Sequence, residues 1–342
     1  MSTPLERLHA LPRFRLAKLP TPLEPLANLT KALGGPTLLV KRDDLTGLAT
    51  GGNKARKLEF LIADALAQRA DCVLTVGGPQ SNHCRQTAAA SAIAGLPCHL
   101  VLGGEPQPPL GNLLLDRLLG ATIHWTPKPN RNARLAALAD ELQAQGRRPY
   151  VIPVGGSVAV GSLGYVAAMF ELVAQLAEQG PAVDHVVFAT SSGGTQAGMV
   201  LGARLAGFAG RITAISIDQV PDDQSDEKFL AGVCEEANGA AALLDAEVRL
   251  AVEDCHTNYD YLGAGYGVVG DLERDAIKLL ARTEGLLVGP VYTGRAAGAM
   301  CDLIRRGAFR PDETVLFWHT GDDAALHAYA NDLVESAEGA NR

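Results

Sequence analysis

Residues 72–104 read CVLTVGGPQSNHCRQTAAASAIAGLPCHLVLGG. The stretch opens on a short apolar run, CVLTVGG, and closes on another, CHLVLGG. Between them lies an Ala-rich segment of helical length, 82–96, entered from Gly77-Gly78. Strand, helix and strand in that order predict a parallel βαβ unit. The pattern repeats along the chain. TLLVKR (37–42), YVIPV (150–154), HVVFAT (185–190), ITAISID (212–218) and VLFWHTG (315–321) read as further strands. Helical stretches are expected at 54–69, 111–119, 132–145, 160–179, 195–207 and 271–284. The strands are continuous apolar runs, as strands covered on both faces should be. A doubly wound α/β fold follows. The Gly-rich breaks GLATGG and VGGSVAVGSLG bracket a compact block, 51–164, which leaves 1–50 plus 165–342 as the larger part.

Composition narrows the function. The 342 residues are 47% hydrophobic and 20% charged, with a net charge of −8. No stripe of Lys or Arg marks a nucleic-acid footprint. Six cysteines include no Cys-x-x-Cys pair and no zinc spacing, so no metal site is expected. Cys72 and Cys98, in apolar runs, should pack as small hydrophobes. The first residues lack a signal-peptide core, and no run reads as a membrane span. These features predict a cytoplasmic, reduced protein with no membrane partner.

The segment GLATGGNKARKLEF (47–60) raises the question of why Lys54 stands there. A P-loop is excluded: Asn53 follows Gly52 where Lys is required, and Ala55 offers no hydroxyl for magnesium. Leu58, Leu61, Ile62 and Ala65 recur at helical spacing, so a helix opens near Lys54. The positive end of the macrodipole disfavours a cation there and lowers the amine's pKa. A neutral amine suits Schiff-base chemistry, although a solvated lysine fits the same position.

Two βα turns offer anion sites. In VGGPQSNHCRQ (76–86) the N–H groups of Ser81, Asn82 and His83 should be free beyond the strand's carboxyl end. They suit a carboxylate, or Ser81 simply caps the helix. In FATSSGGTQAG (188–198) small residues and hydroxyls at a helix start suit a phosphate. G-x-G-x-x-G is not met in this turn, so a dinucleotide is not implied there. One phosphate site and one poised lysine together suggest pyridoxal 5'-phosphate (PLP).

KRDDLTGLATGGNKARKLEFL, QSNHCRQTAA, YVIPVGGS, SSGGTQAG, GYGV, ARTEGLLVGPVYTGRA and FWHTGD occur in the order of a known family. From about Leu19 to about Tyr329 the chain resembles the D-cysteine desulfhydrase and 1-aminocyclopropane-1-carboxylate (ACC) deaminase family of fold-type-II PLP enzymes. The resemblance implies two open, twisted, mostly parallel sheets with flanking helices. The larger part would be the PLP-binding domain, and the enzyme would be a homodimer acting on a small amino acid. It implies that Lys54 carries the cofactor and that Asn53 lies near the phenolic oxygen of its ring. Ser192, Gly193, Gly194 and Thr195 would form the phosphate cradle. Gln80, Ser81, Asn82 and His83 would hold the substrate carboxylate. Ser81, Tyr266 and Tyr292 would serve acid–base roles.

Departures from the family pattern bear on the reaction. ACC deaminases carry Glu where Thr293 stands, facing the pyridine nitrogen. A hydroxyl makes the ring a weaker electron sink. That favours β-elimination from D-cysteine, giving pyruvate, ammonia and hydrogen sulfide, over cyclopropane opening. Cysteate sulfo-lyase, ACC deaminase and diaminopropionate-type activities are the alternatives within the family. Gly289 and Arg295 replace the usual Asp and Lys. Asp322 and Asp323 follow Gly321 where a second glycine is usual. Asp322 is expected either to favour a helix start or to line the substrate pocket, where it would disfavour an anionic side chain. Outside the family, a non-catalytic binding protein and a Ser81–His83 hydrolase compete. The hydrolase lacks a nucleophile elbow, and its two residues do not share a helix face.

Overall fold

The computed structural model describes residues 2–180, 182–218 and 226–334. Ten strands are found among them: β1 (Leu23–Pro25), β2 (Thr37–Arg42), β3 (Cys72–Gly77), β4 (Cys98–Gly103), β5 (Thr122–Thr126), β6 (Pro149–Val151), β7 (His185–Thr190), β8 (Arg211–Ser216), β9 (His256–Asn258) and β10 (Thr314–His319). They form a six-stranded sheet, order β1-β2-β10-β7-β8-β9, and a four-stranded sheet, order β5-β4-β3-β6. Every pairing is parallel except β1 on β2. β3 through β6 all lie in the smaller sheet, and the larger sheet takes its strands from either side of that stretch.

The seven expected strands and seven expected helices are present, with YVIPV giving a strand only as far as Val151 before a short 3-10 turn at Val154–Gly156. The opening stretch is the predicted unit: β3, the helix Asn82–Ala94, and β4 paired parallel to β3. β3 is buried along its whole length. The elements not anticipated are β1, β5 and β9, and the helices Pro4–Ala10, Ala27–Leu33, Asp226–Leu243, Thr293–Arg305 and Ala330–Leu333.

Two helices fix the lysine segment against the larger sheet. Helix Lys54–Ala67 packs on helix Ala159–Gln179 so closely that a Cβ on Gly164 would lie 2.4 Å from the Arg56 carbonyl oxygen. Helix Ala159–Gln179 packs in turn on Gly194–Ala206, where a Cβ on Gly198 would meet the Ser162 carbonyl oxygen at 2.3 Å. One correction arises here. Residues Ala159–Glu178 are long and apolar enough to cross a membrane by length and composition alone. In the fold they are an internal packing helix whose Leu163, Val166 and Leu172 are buried.

All six cysteines are free and buried, Cys72 and Cys98 within apolar clusters as expected. Among the described residues no group of three or more His, Cys, Asp or Glu is placed to hold a metal ion.

Candidate active site

One cavity gathers loops from both sheets. It is lined by Asn53 and Lys54, by Ser81–His83 after β3, by Val154 and Gly155 after β6, by residues 189–193 and Thr195 at and after the end of β7, by Tyr292, and by Thr320 after β10. Most of these are carboxyl ends of parallel strands, where open α/β sheets bind ligands. Thr46 shapes the lysine loop: its hydroxyl accepts the Gly52 N–H at 2.8 Å and lies 2.9 Å from the Gly52 carbonyl. Gly51 is required there, because a Cβ would fall 1.8 Å from the Asp44 carbonyl oxygen.

Asn53 joins three loops. Its Nδ2 donates to Thr195 Oγ1 at 3.1 Å, its Oδ1 accepts from Asn82 at 3.4 Å, and its backbone N–H donates to the Thr320 carbonyl at 2.9 Å. Lys54 follows as the first residue of its helix. Its amine is held well below the ordinary lysine pKa by burial first and by the Lys57 charge second, with Asp322 opposing. Desolvation and a neighbouring cation thus favour the neutral amine.

The Ser191–Thr195 turn forms a cup at the start of helix Gly194–Ala206. Ser157 Oγ lies 2.8 Å from Ser192 Oγ and accepts the Gly194 N–H at 3.0 Å. Lys57 donates to the Gly155 carbonyl at 2.8 Å. A Cβ on Gly194 would lie 2.6 Å from Lys57 Nζ, so this cation sits directly behind the cup. Burial pushes Lys57 down to about 8 and the nearby Glu236 up to about 7. Small residues, free helix-start amides, hydroxyls and a cation fit a dianionic phosphate. Sequence reasoning missed Lys57 and Ser157. The spacing of Lys57 from Lys54, one helical turn, was the available signal.

Several expectations are corrected by the structure. The Ser81 N–H is not free; it donates to the Gly78 carbonyl at 3.0 Å, closing a tight turn. Asn82 and His83, in the first helical turn, keep the outward-facing amides. Ser81 Oγ accepts from the Cys84 N–H at 3.3 Å as a cap. Gln80 does not border the cavity: both ends of its amide are bound, Nε2 to the Leu110 carbonyl and Oε1 to the Asn112 N–H. Thr293 lies outside the lining as well. Its hydroxyl accepts the Gly289 N–H at 2.7 Å and lies 3.0 Å from the Gly321 carbonyl, while Thr320 borders the cavity instead. Asp322 turns its carboxylate back onto the Val291 and Tyr292 amides rather than into the lining.

His83 is held by Thr75, 2.9 Å from its Nε2, and Ser81 is not its partner. Thr75 spends its own proton on the Ile152 carbonyl at 2.8 Å, so Nε2 carries the hydrogen. Burial, then Lys54 and Lys57, keep this imidazole neutral. No serine–histidine dyad forms. Tyr292 OH lies 2.7 Å from Tyr266 OH, with the rings edge-on, so Tyr266 reaches the cavity through Tyr292.

The family model described as pyridoxal-phosphate dependent enzyme matches residues 14–321. The chain belongs to this family. Its cofactor is PLP, and the cup and lysine described above suit it. Two D-cysteine desulfhydrases, from Salmonella schwarzengrund (strain CVM19633) and Salmonella typhi, are each 41% identical over 333 residues, covering 95% of this chain and 98% of theirs. A crystal structure of an ACC deaminase homologue superimposes with a TM-score of 0.87 at 35% identity, covering 97% of this chain and 98% of that one. Escherichia coli diaminopropionate ammonia lyase shares the fold, with a TM-score of 0.66 at 18% identity over 98% of this chain and 91% of that one.

The cup carries a prediction for the PLP enzyme. Lys57 is charged below about 8 and neutral above it, and only the charged form attracts phosphate. PLP affinity of the apoprotein, followed by fluorescence titration, should fall as pH rises through about 8. Lys57→Met should weaken binding by about tenfold or more and remove that pH dependence.

Proposed function

We propose that the chain is a carbon–sulfur lyase that converts D-cysteine and water to pyruvate, ammonia and hydrogen sulfide. The observation that carries this reading is the single cavity in which a neutral Lys54 amine meets a phosphate cup, the Asn82–His83 amides and the Tyr292–Tyr266 hydroxyl pair. The 41% identity to proteins named D-cysteine desulfhydrase selects the substrate.

Bound PLP supplies the electron sink that makes an α-proton removable. The chain's own groups do the rest. The Asn82 and His83 amides hold the substrate carboxylate. Lys54 takes the α-proton as general base. The Cβ–S bond breaks and the sulfur leaves as hydrosulfide, with the Tyr292 hydroxyl donating a hydrogen bond to it and the α-proton held by Lys54 balancing the charge. Burial first, then Tyr266 and Asp322, hold the Tyr292 hydroxyl well above its ordinary pKa, so it is present as a neutral hydrogen-bond donor. The released enamine hydrolyses to pyruvate and ammonia.

The substrate panel that tests this is D- and L-cysteine, β-chloro-D-alanine, ACC, cysteate, D-serine and diaminopropionate, with keto-acid detection. Pyruvate is expected from D-cysteine and β-chloro-D-alanine, at rates about tenfold or more above L-cysteine. A keto acid from ACC with none from D-cysteine would reverse the reading. The proposal extends to the working form: a cytoplasmic homodimer whose block 51–164 is a small domain facing a larger PLP-binding one. Six unpaired cysteines support a reducing compartment. The family resemblance supports the dimer, and confinement of β3–β6 to one sheet supports the domain.

A further inference from the structure

Asp322 holds a backbone conformation that favours glycine, with φ 97° and ψ 1°. Such a conformation is costly for any residue with a Cβ, and its presence beside a functional cavity calls for a reason. Gly289 passes so close that a Cβ there would lie 2.2 Å from the Asp322 carbonyl oxygen and 2.6 Å from its Cβ. The side chain is 1% exposed. Its Oδ2 accepts the N–H groups of Val291 and Tyr292, both at 3.0 Å, and its Oδ1 is buried without a protein partner.

Those two amides lie just ahead of helix Thr293–Arg305, on its N-cap residue Tyr292 and the residue before it, while the first-turn Gly294 N–H donates to the Gly289 carbonyl at 2.7 Å. The acceptor for the Tyr292 amide comes from 30 residues away, at the end of the β10 segment. The residue it grips lines the cavity and carries a hydroxyl 2.7 Å from Tyr266 OH. We infer that Asp322 is a positioning residue: its carboxylate clamps the Tyr292 backbone and so sets where the tyrosine hydroxyl stands in the cavity. The activity arm of the test rests on the elimination reading above; the exchange arm does not.

Glycine at 322 removes the clamp and relaxes the backbone at the same time. A merely structural role for Asp322 predicts a lowered melting temperature in Asp322→Gly; a positioning role predicts little thermal change and a slower reaction. The holoenzyme variants to compare are Asp322→Gly, Asp322→Asn, Tyr292→Phe and the Asp322→Gly/Tyr292→Phe pair. In Asp322→Gly, amide hydrogen exchange across residues 289–294 should accelerate about tenfold or more as two buried hydrogen bonds are lost. Its kcat for pyruvate release should fall about tenfold, with KM within about threefold. Added to Tyr292→Phe, the glycine should cost less than about twofold, because both changes act through one hydroxyl. Asparagine retains an acceptor and should keep exchange slow and kcat within about threefold of wild type. Wild-type exchange rates in Asp322→Gly would overturn the inference. So would a full additional loss in the Tyr292→Phe background, or an asparagine variant that exchanges as fast as wild type does after denaturation. If the wild type releases no keto acid, the elimination reading fails while the exchange result still decides the clamp.

Discussion

Lys54→Ala is expected to lose the visible absorbance of the holoenzyme and to slow pyruvate release by about a thousandfold or more. Two functions vanish together. In the proposed reading the amine is both the covalent anchor for the cofactor and the general base for the α-proton. Its lowered pKa, from burial and from Lys57, keeps it unprotonated where an exposed lysine would be charged. The variant should still take up PLP without a covalent link, because the phosphate cup is made by other residues. Borohydride reduction followed by peptide mapping gives the decisive readout, and it must separate Lys54 from Lys57. Both amines have lowered pKa values, but Lys57 is tied to the Gly155 carbonyl at 2.8 Å. A label at Lys57, with Lys54 untouched and turnover intact, would overturn the assignment.

The second large effect is on stability. Two residues beyond Lys54, the fully buried Arg56 donates through Nε and Nη2 to Asp43 at 2.9 and 2.8 Å, and to Glu171 at 2.9 Å through both terminal nitrogens. Tyr165 OH adds a 2.6 Å bond to Asp43, and Lys41 reaches Glu171 at 2.5 Å. Arg56→Ala leaves buried carboxylates without their main counter-charge and should cost about 3–5 kcal/mol in denaturant unfolding. The pH dependence carries a second signature. Burial alone would raise the Asp43 pKa, but the Arg56 charge and hydrogen bonds, the Lys41 charge and the Tyr165 hydroxyl together outweigh it and hold the carboxyl at about 2, against an ordinary 3.8. The stability this supplies is complete above 3.8 and is lost as pH falls through about 2. In Arg56→Ala that acid limb should flatten. An unfolding free energy within about 1 kcal/mol of wild type would show that the cluster is replaceable.

Much of the architecture was readable because its strands are buried on both faces. β3 and β7 are almost wholly enclosed, so their sequences are uninterrupted apolar runs. β5, Thr122–Thr126, is exposed to partly buried along its length and its sequence TIHWT alternates polar and apolar, which hid it. β1 and β9 have three residues each and lie at sheet edges, too short for a pattern to develop. Helix Thr293–Arg305 begins Thr-Gly-Arg and contains a second glycine, so propensity argued against it; its small residues are needed because a Cβ on Gly298 would lie 2.7 Å from Leu272. At the site, segments carrying several functional residues in a row could be recognised. Contacts between distant segments could not. Ser157 meets Ser192 across 35 residues, and Lys57 meets Gly155 across 98. The Thr293 and Gln80 side chains illustrate the same limit: residue type and motif single them out, and their hydrogen bonds to distant backbone groups could not be read from the sequence.

An enzyme that liberates sulfide lives with a reagent that attacks oxidised thiols and adds sulfur to them. The six cysteines answer that hazard. Burial pushes Cys98 and Cys255 up to about 12 and Cys72 and Cys301 up to about 11, and raises Cys84 and Cys234 as well. The reactive thiolate is thereby withheld at neutral pH, so sulfenylation, and the persulfide that sulfide would make from it, has no ready foothold. Burial alone shields the six free thiols, with no disulfide among them to be attacked.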